Sequence, residues 1–136
     1  MSGFPLKIVT PAGLQFDGTA QQLTLRTVAG DVTILPRHIN YVAPLGMGEA
    51  VVIVDGARRS AACIGGMVSV VNGAVKLVPT SFEWAEDIDV PRAQASEERA
   101  HQVLENKDAT DTDIRMAKAR LKRALIRRNV AAHKPK

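Results

Sequence analysis

The chain has 136 residues, 46% of them hydrophobic and 24% charged, with a formal net charge of +4. That length and apolar content suffice for one domain with a real core plus an appendage. A single cysteine, Cys63, excludes an internal disulfide and leaves no cluster for a structural zinc, so no metal site is expected and a reducing compartment suits the chain. The first residues lack a basic region followed by an apolar run, and no stretch of about eighteen apolar residues occurs. The expectation is a soluble chain, not secreted, that meets a membrane only through a partner.

Up to about residue 85 the apolar residues recur at every second position, between Gly-containing turns. Leu6 to Thr10 reads as a strand closed by Pro11, and a second short strand around Leu14 and Phe16 ends in the turn pair Asp17-Gly18. Gln21 to Thr27 alternates, with Leu23 and Leu25 inward and Thr24 and Arg26 outward, and Gly30-Asp31 turns the chain into Val32–Leu35. Tyr41–Pro44 and Ala50–Val54 follow, then the hairpin signal Asp55-Gly56, Arg58–Ile64, the break Gly65-Gly66, Met67–Val71, the turn Asn72-Gly73 and Ala74–Val78. This amounts to roughly eight to ten short strands, the spacing of an antiparallel sandwich or barrel. Ile8, Phe16, Leu23, Leu25, Ile34, Val52, Val54, Ile64, Val68, Val70 and Leu77 are the expected core, with Cys63 an inert member of it.

At Ile88-Asp89-Val90-Pro91-Arg92-Ala93 the pattern changes to helical spacing. Asp89 suits an N-cap, and Pro91 sits where a missing amide hydrogen breaks no helical hydrogen bond. A first helix is expected from Pro91 to about Asn106, with Ala93, Ala100, Val103 and Leu104 on one face. After a loop, Thr110 or Asp111 caps a second helix whose inner face is Ile114, Ala117, Leu121 and Leu125. The expected division is therefore residues 1–87, a β-sandwich, and 88–136, a helical hairpin. These alanine-rich faces bury little area, so weak docking is expected.

Charge is segregated along the tail. Residues 86–113 hold nine acidic and three basic side chains, whereas residues 114–136 hold nine basic ones and no acidic one. Either the two helices attract each other as a folded hairpin, or the basic segment can leave its neighbour for another acidic surface.

No catalytic constellation is legible. Cys63 and the histidines His38, His101 and His133 show no recognisable spacing with the carboxylates, and no phosphate-cradling glycine loop is present, so a non-enzyme is expected. The pI near 9.6 raises a second reading, a nucleic-acid-binding β-domain with a basic hairpin. Against it, one Trp, one Tyr and three Phe leave little for base stacking.

Four segments in order resemble the epsilon subunit of the F-type ATP synthase. They are Ile8-Val9-Thr10-Pro11 with Phe16-Asp17-Gly18, then Gly30 to His38, then Gly65-Gly66, and Glu86-Asp87-Ile88-Asp89 with Arg92-Ala93. The resemblance implies a rotor subunit that couples proton flow to ATP synthesis. It implies a ten-strand sandwich gripping the gamma subunit and the c-ring, and a hairpin that folds on the sandwich or extends into the head of alpha and beta subunits to inhibit ATP hydrolysis. It places Asp31 toward the c-ring and His38 toward gamma, and makes Arg115, Lys118, Arg120, Lys122 and Arg123 the inhibitory basic helix. It implies a regulatory ATP site at Glu83, Ile88, Asp89, Arg92, Ala93, Arg123 and Arg127, with no cofactor otherwise required. Arg37 stands where the family has a small residue, and Pro91 stiffens the motif. The implied location is the cytoplasmic face of a bacterial plasma membrane, as a peripheral part of the complex.

Overall fold

Period-two alternation builds two sheets whose apolar faces meet. The computed structural model describes residues 2–135. Its strands are β1 (Phe4–Thr10), β2 (Gly13–Ala20), β3 (Gln22–Thr27), β4 (Gly30–Ile34), β5 (Tyr41–Pro44), β6 (Met47–Val54), β7 (Ala57–Ile64), β8 (Met67–Val71), β9 (Ala74–Val78) and β10 (Ser81–Trp84). A 3-10 turn at Ala85–Asp87 leads into α1 (Val90–Glu105) and α2 (Asp111–Ala131). One sheet runs β2-β1-β9-β8-β5 and the other β10-β7-β6-β3-β4. For convenience these are sheets A and B.

All strand pairs are antiparallel except β1 with β9, which run parallel with Leu6 beside Val75 and Ile8 beside Leu77. A hairpin cannot make that pairing; between β1 and β9 the chain lays down β2 to β8, crossing between the two sheets. Between the sheets lie Leu6, Ile8, Val68, Val70, Val75 and Leu77 of sheet A against Leu23, Leu25, Ile34, Val52, Phe82 and Trp84 of sheet B. Nine of the eleven expected core residues are buried; Phe16 and Val54 are half-buried and pack on the core's edge.

Two turns differ from the sequence reading. Asp17-Gly18 does not turn: β2 continues to Ala20, with Asp17 paired to Lys7 and Gly18 to Leu6. The Phe16 ring takes the room that a side chain at 18 would need, since a Cβ there would lie 3.3 Å from the Phe16 ring. Gly30-Asp31 is likewise inside β4, paired to Thr27 and Arg26, and the turn is Val28-Ala29. Thr27 closes that turn, its hydroxyl donating to the Gly30 carbonyl and accepting from the Ala29 amide. The strand pattern read from the sequence ends at Val78, and the structure adds β10, where Phe82 and Trp84 face inward and alternate with Ser81 and Glu83.

The helices start as their caps dictate. The Asp89 carboxylate accepts from the Arg92 amide at 3.1 Å, with Pro91 in the first turn. Thr110 and Asp113 exchange side-chain to backbone bonds, a capping box. Between the helices Ala93 and Ala100 face Ala117 and Ala124, all buried. Leu125 is 41% exposed, contrary to the expected face. Two successive steps of four residues drift about 80° round a helix, so a face through 117 and 121 continues to 124.

Gly66 has φ +93°, and a Cβ there would lie 2.1 Å from the Val78 carbonyl oxygen. Gly66→Ala is expected to lose about 3 kcal/mol or more in urea unfolding. Gly73, at φ +83° but facing open space, should lose only about 1–2 kcal/mol on the same change.

Candidate functional site

The hairpin lies on the outer face of sheet B and is held at its free end. Val130 and Ala131 of α2 pack on Ala62, Ala85 and Ile88, with Val90 and Ile126 at the margin. Polar contacts surround this socket. Arg127 Nε donates to Glu83 Oε1 at 2.5 Å, Arg128 pairs with Glu97 of α1, and His133 Nδ1 lies 2.8 Å from Glu49 Oε2 of β6. The neighbouring Ser60 hydroxyl is buried without a hydrogen-bond partner among the described residues. Orphaning a hydroxyl costs about 1–3 kcal/mol. Ser60→Ala should therefore hold the hairpin more tightly, read as slower amide exchange over the last two turns of α2.

Between β10, α1 and α2 opens a cleft of about 540 Å³ lined by Glu83, Asp87, Asp89, Arg92, Ala93, Ser96, Arg99, Arg120, Arg123 and Arg127. Six of the seven residues expected to bind ATP lie here. The seventh, Ile88, does not line the cleft, because its side chain fills the socket beneath α2. Sequence reasoning missed Asp87, Ser96 and Arg99, and gave Arg120 another role. The signal existed: Arg92, Ser96 and Arg99 stand at i, i+4 and i+7 on α1, and Arg120, Arg123 and Arg127 at i, i+3 and i+7 on α2. Five guanidiniums face three carboxylates, so the cleft attracts anions, and the guanidinium fork suits phosphate oxygens.

The other expected residues lie elsewhere. Asp31 is exposed at the tip of the β3–β4 hairpin and takes a two-pronged contact from Arg26, at 3.0 and 3.3 Å. His38 stands in the β4–β5 connection at the other end of the sandwich, its Nδ1 2.8 Å from the Ile39 carbonyl and its ring edge-on to Tyr41. Arg37 before it adopts φ +67°. Arg115, Lys118 and Lys122 are exposed on α2 and form no ion pair among the described residues. Cys63 is buried in β7, and burial pushes its thiol up to about 12, away from the thiolate form that reactive cysteines need. Trp84, Phe82 and Phe4 are core residues, which withdraws them from base stacking. Among the described residues no helix is long and apolar enough to cross a membrane.

The turn from sandwich to hairpin is pinned by one arginine. Arg59 of β7 donates to Glu86 Oε1 at 2.8 Å, and its guanidinium lies 3.7 Å from the Trp84 ring centroid. The Arg59 hydrogen bond holds the Glu86 carboxyl below its ordinary pKa. A carboxyl lowered on folding stabilises the fold above its unfolded pKa, and that stabilisation is lost as the pH falls through the folded value. Glu86→Gln should thus cost stability at neutral pH. The gap between parent and variant should close as the pH falls below about 4 in urea titrations.

The fold and its junction define a class of protein, a β-sandwich bearing a helical hairpin with an anion-attracting cleft between them. The beta-sandwich domain of the ATP synthase delta/epsilon chain matches residues 3–85, and its long alpha-helix domain matches residues 86–132. The ATP synthase epsilon chain of Ruminococcus albus is 39% identical over 98% of this chain and 100% of its own length; that of Bacillus velezensis is 40% identical over the same shares. Among solved structures, a chain of the Euglena gracilis mitochondrial ATP synthase (OSCP/F1/c-ring) superposes with a TM-score of 0.80 at 19% identity, covering 98% of this chain and 82% of that one. A chain of the Tetrahymena thermophila central stalk and c-ring gives 0.60 at 16% identity, over 93% and 95%. The chain belongs to the ATP synthase delta/epsilon family, and the relatives it matches over its whole length are epsilon chains.

Proposed function

We propose that this chain is a non-catalytic rotor subunit of a bacterial F-type ATP synthase. It links the gamma subunit to the c-ring, turns with them, and acts on the alpha and beta subunits through its hairpin. It meets the cytoplasmic face of the plasma membrane only through the complex. The observation that carries this reading is an asymmetry of the sandwich. The hairpin lies on the β6–β7 part of the outer face of sheet B, while the outer face of sheet A carries no helix and exposes Val42, Met67, Val71 and Val78 beside Lys7, Asp17, Ser69 and Lys76. Exposed apolar side chains rimmed by polar ones mark docking surfaces, and a subunit between gamma and the c-ring needs one. Asp31 and His38, at opposite ends of the sandwich, are in this reading the contacts to the c-ring and to gamma.

The hairpin regulates. Its unpaired stripe of Arg115, Lys118 and Lys122 suits an acidic surface in the catalytic head, and Arg120 and Arg123 of the same helix join it there once the cleft opens. ATP in the cleft opposes that movement, because its ligands come from both the sandwich and the hairpin, and binding favours the docked state by mass action. The test is ATP hydrolysis by a catalytic head complex lacking this subunit, with the full chain and with a version ending at Asp87. Both should bind and only the full chain should slow turnover. Equal turnover with both would remove the hairpin from regulation, and no binding by either would end the rotor reading.

A further inference from the structure

The end of α2 meets sheet B across three strands, and the acids beneath it stand in one row. Glu49 of β6 pairs in register with Ala62 of β7, and Ala62 pairs with Glu83 of β10. Directly paired residues of antiparallel strands point to the same face, so a carboxylate stands on each side of the alanine that seats the helix. Neighbouring strands lie about 4.8 Å apart, which separates the two acids by about 10 Å. On the helix side Arg127 reaches Glu83, Val130 and Ala131 cover Ala62, and His133 reaches Glu49, its Nδ1 2.8 Å from Oε2. The rise of a helix from residue 127 to residue 133 is about 9 Å, so the two basic side chains span the row. Glu49 has no other ion-pair partner among the described residues. The nearby cations are engaged elsewhere: Arg26 of β3 by Asp31, Arg59 of β7 by Glu86 and Arg128 of α2 by Glu97. Asp87 faces the cleft, and Arg58 stands farther along β7, opposite Ile53. Lys134, beside His133, is exposed and forms no ion pair among the described residues.

The two anchors differ in kind. An arginine keeps its charge at every physiological pH, whereas a histidine gains or loses its charge between about pH 5 and 8. From this difference we infer that His133 and Glu49 form a proton-operated latch, which holds the free end of α2 on the sandwich while the imidazole is charged and loosens it as the pH rises. Docked, the imidazolium faces a carboxylate; undocked, it faces water. Docking therefore takes up a proton, and the hold it provides is lost as the pH rises. A neutral imidazole can still donate from Nδ1, but a bond without the charge is about half as strong. The end of α2 is thus weakened rather than freed at high pH, because Arg127 and the contact with Ala62 remain. The latch needs neither a ligand nor a partner subunit, so it stands apart from the rotor and nucleotide readings.

The test is amide hydrogen exchange of the full chain at about pH 5.5 and about pH 8, on either side of a histidine's change of charge. Each rate is divided by the intrinsic rate at that pH, and the parent is compared with His133→Gln, Glu49→Gln and His133→Lys. In the parent the last two turns of α2 should lose about two- to fivefold of their protection at the higher pH, as expected of one partly exposed ion pair. The amides of β1 and β9 should keep theirs in every chain, which shows that the sandwich is intact. His133→Gln and Glu49→Gln should have the lower protection at both pH values, and His133→Lys, charged throughout, should not change between them. The Glu49 variant also separates His133 from His101, an exposed histidine of α1 that the substitution leaves in place. A parent equally protected at both pH values would overturn the latch, and so would a Glu49→Gln chain that still loses protection as the pH rises.

Discussion

The hairpin rests on a strip of small side chains on the outer face of sheet B. That strip is made by β7, where Ser60-Ala61-Ala62-Cys63 is buried on both faces: Ala61 and Cys63 look into the sandwich and Ala62 looks out at α2. Any larger side chain at 62 would lift the last turns of α2. Arg127 would then be drawn from Glu83, and the cleft would lose the wall that defines its inner end. The whole junction depends on the volume of one methyl group. The helices themselves follow the same rule, since Ala93, Ala100, Ala117 and Ala124 let them approach closely at small cost in apolar area.

Electrostatics then sorts the tail's charges into separate tasks. Of the basic side chains in residues 114–136, Arg127, Arg128 and His133 are spent on acids at the socket, and Arg128 makes the one ion pair between the two helices among the described residues. Mutual attraction of oppositely charged helices is therefore a minor part of what holds the hairpin together; exposed pairs contribute only about 0.2–1 kcal/mol each. The remaining cations divide by helical phase. Arg120 and Arg123 turn into the cleft, and Arg115, Lys118 and Lys122 turn to solvent, where no acid among the described residues pairs with them.

The strands and caps were legible because each rests on local chemistry. Asp55-Gly56 and Asn72-Gly73 take the left-handed φ values that a two-residue hairpin turn needs, and Asp89 and Thr110 cap as their side chains allow. The misreadings share one cause, which is that long-range packing outweighs a local signal. Asp17-Gly18 looks like a turn until Phe16 needs the space above Gly18, and Leu125 looks inward until the buried alanines set the helix phase. The candidate site was half legible. The residues at its inner end follow from the resemblance, while Arg99 and Arg120 needed the antiparallel arrangement of α1 and α2 to bring two separate helical faces to one cleft. The socket was invisible, since nothing local says that Val130 and Ala131 will meet Ala62.

Magnitudes set how a ligand in the cleft would act on such a junction. Val130 is the one large apolar side chain that α2 buries fully in the socket, and burying a valine is worth about 1.5–3 kcal/mol. The unpartnered Ser60 hydroxyl takes back a comparable amount, about 1–3 kcal/mol. The apolar part of the hold is therefore modest, and the Arg127–Glu83 and His133–Glu49 contacts add to it. A ligand present at 100 times its dissociation constant adds about 2.7 kcal/mol to the state it binds. Against a large hydrophobic interface that contribution would change nothing measurable. Against an alanine-lined socket it is comparable to the burial that seats the end of α2.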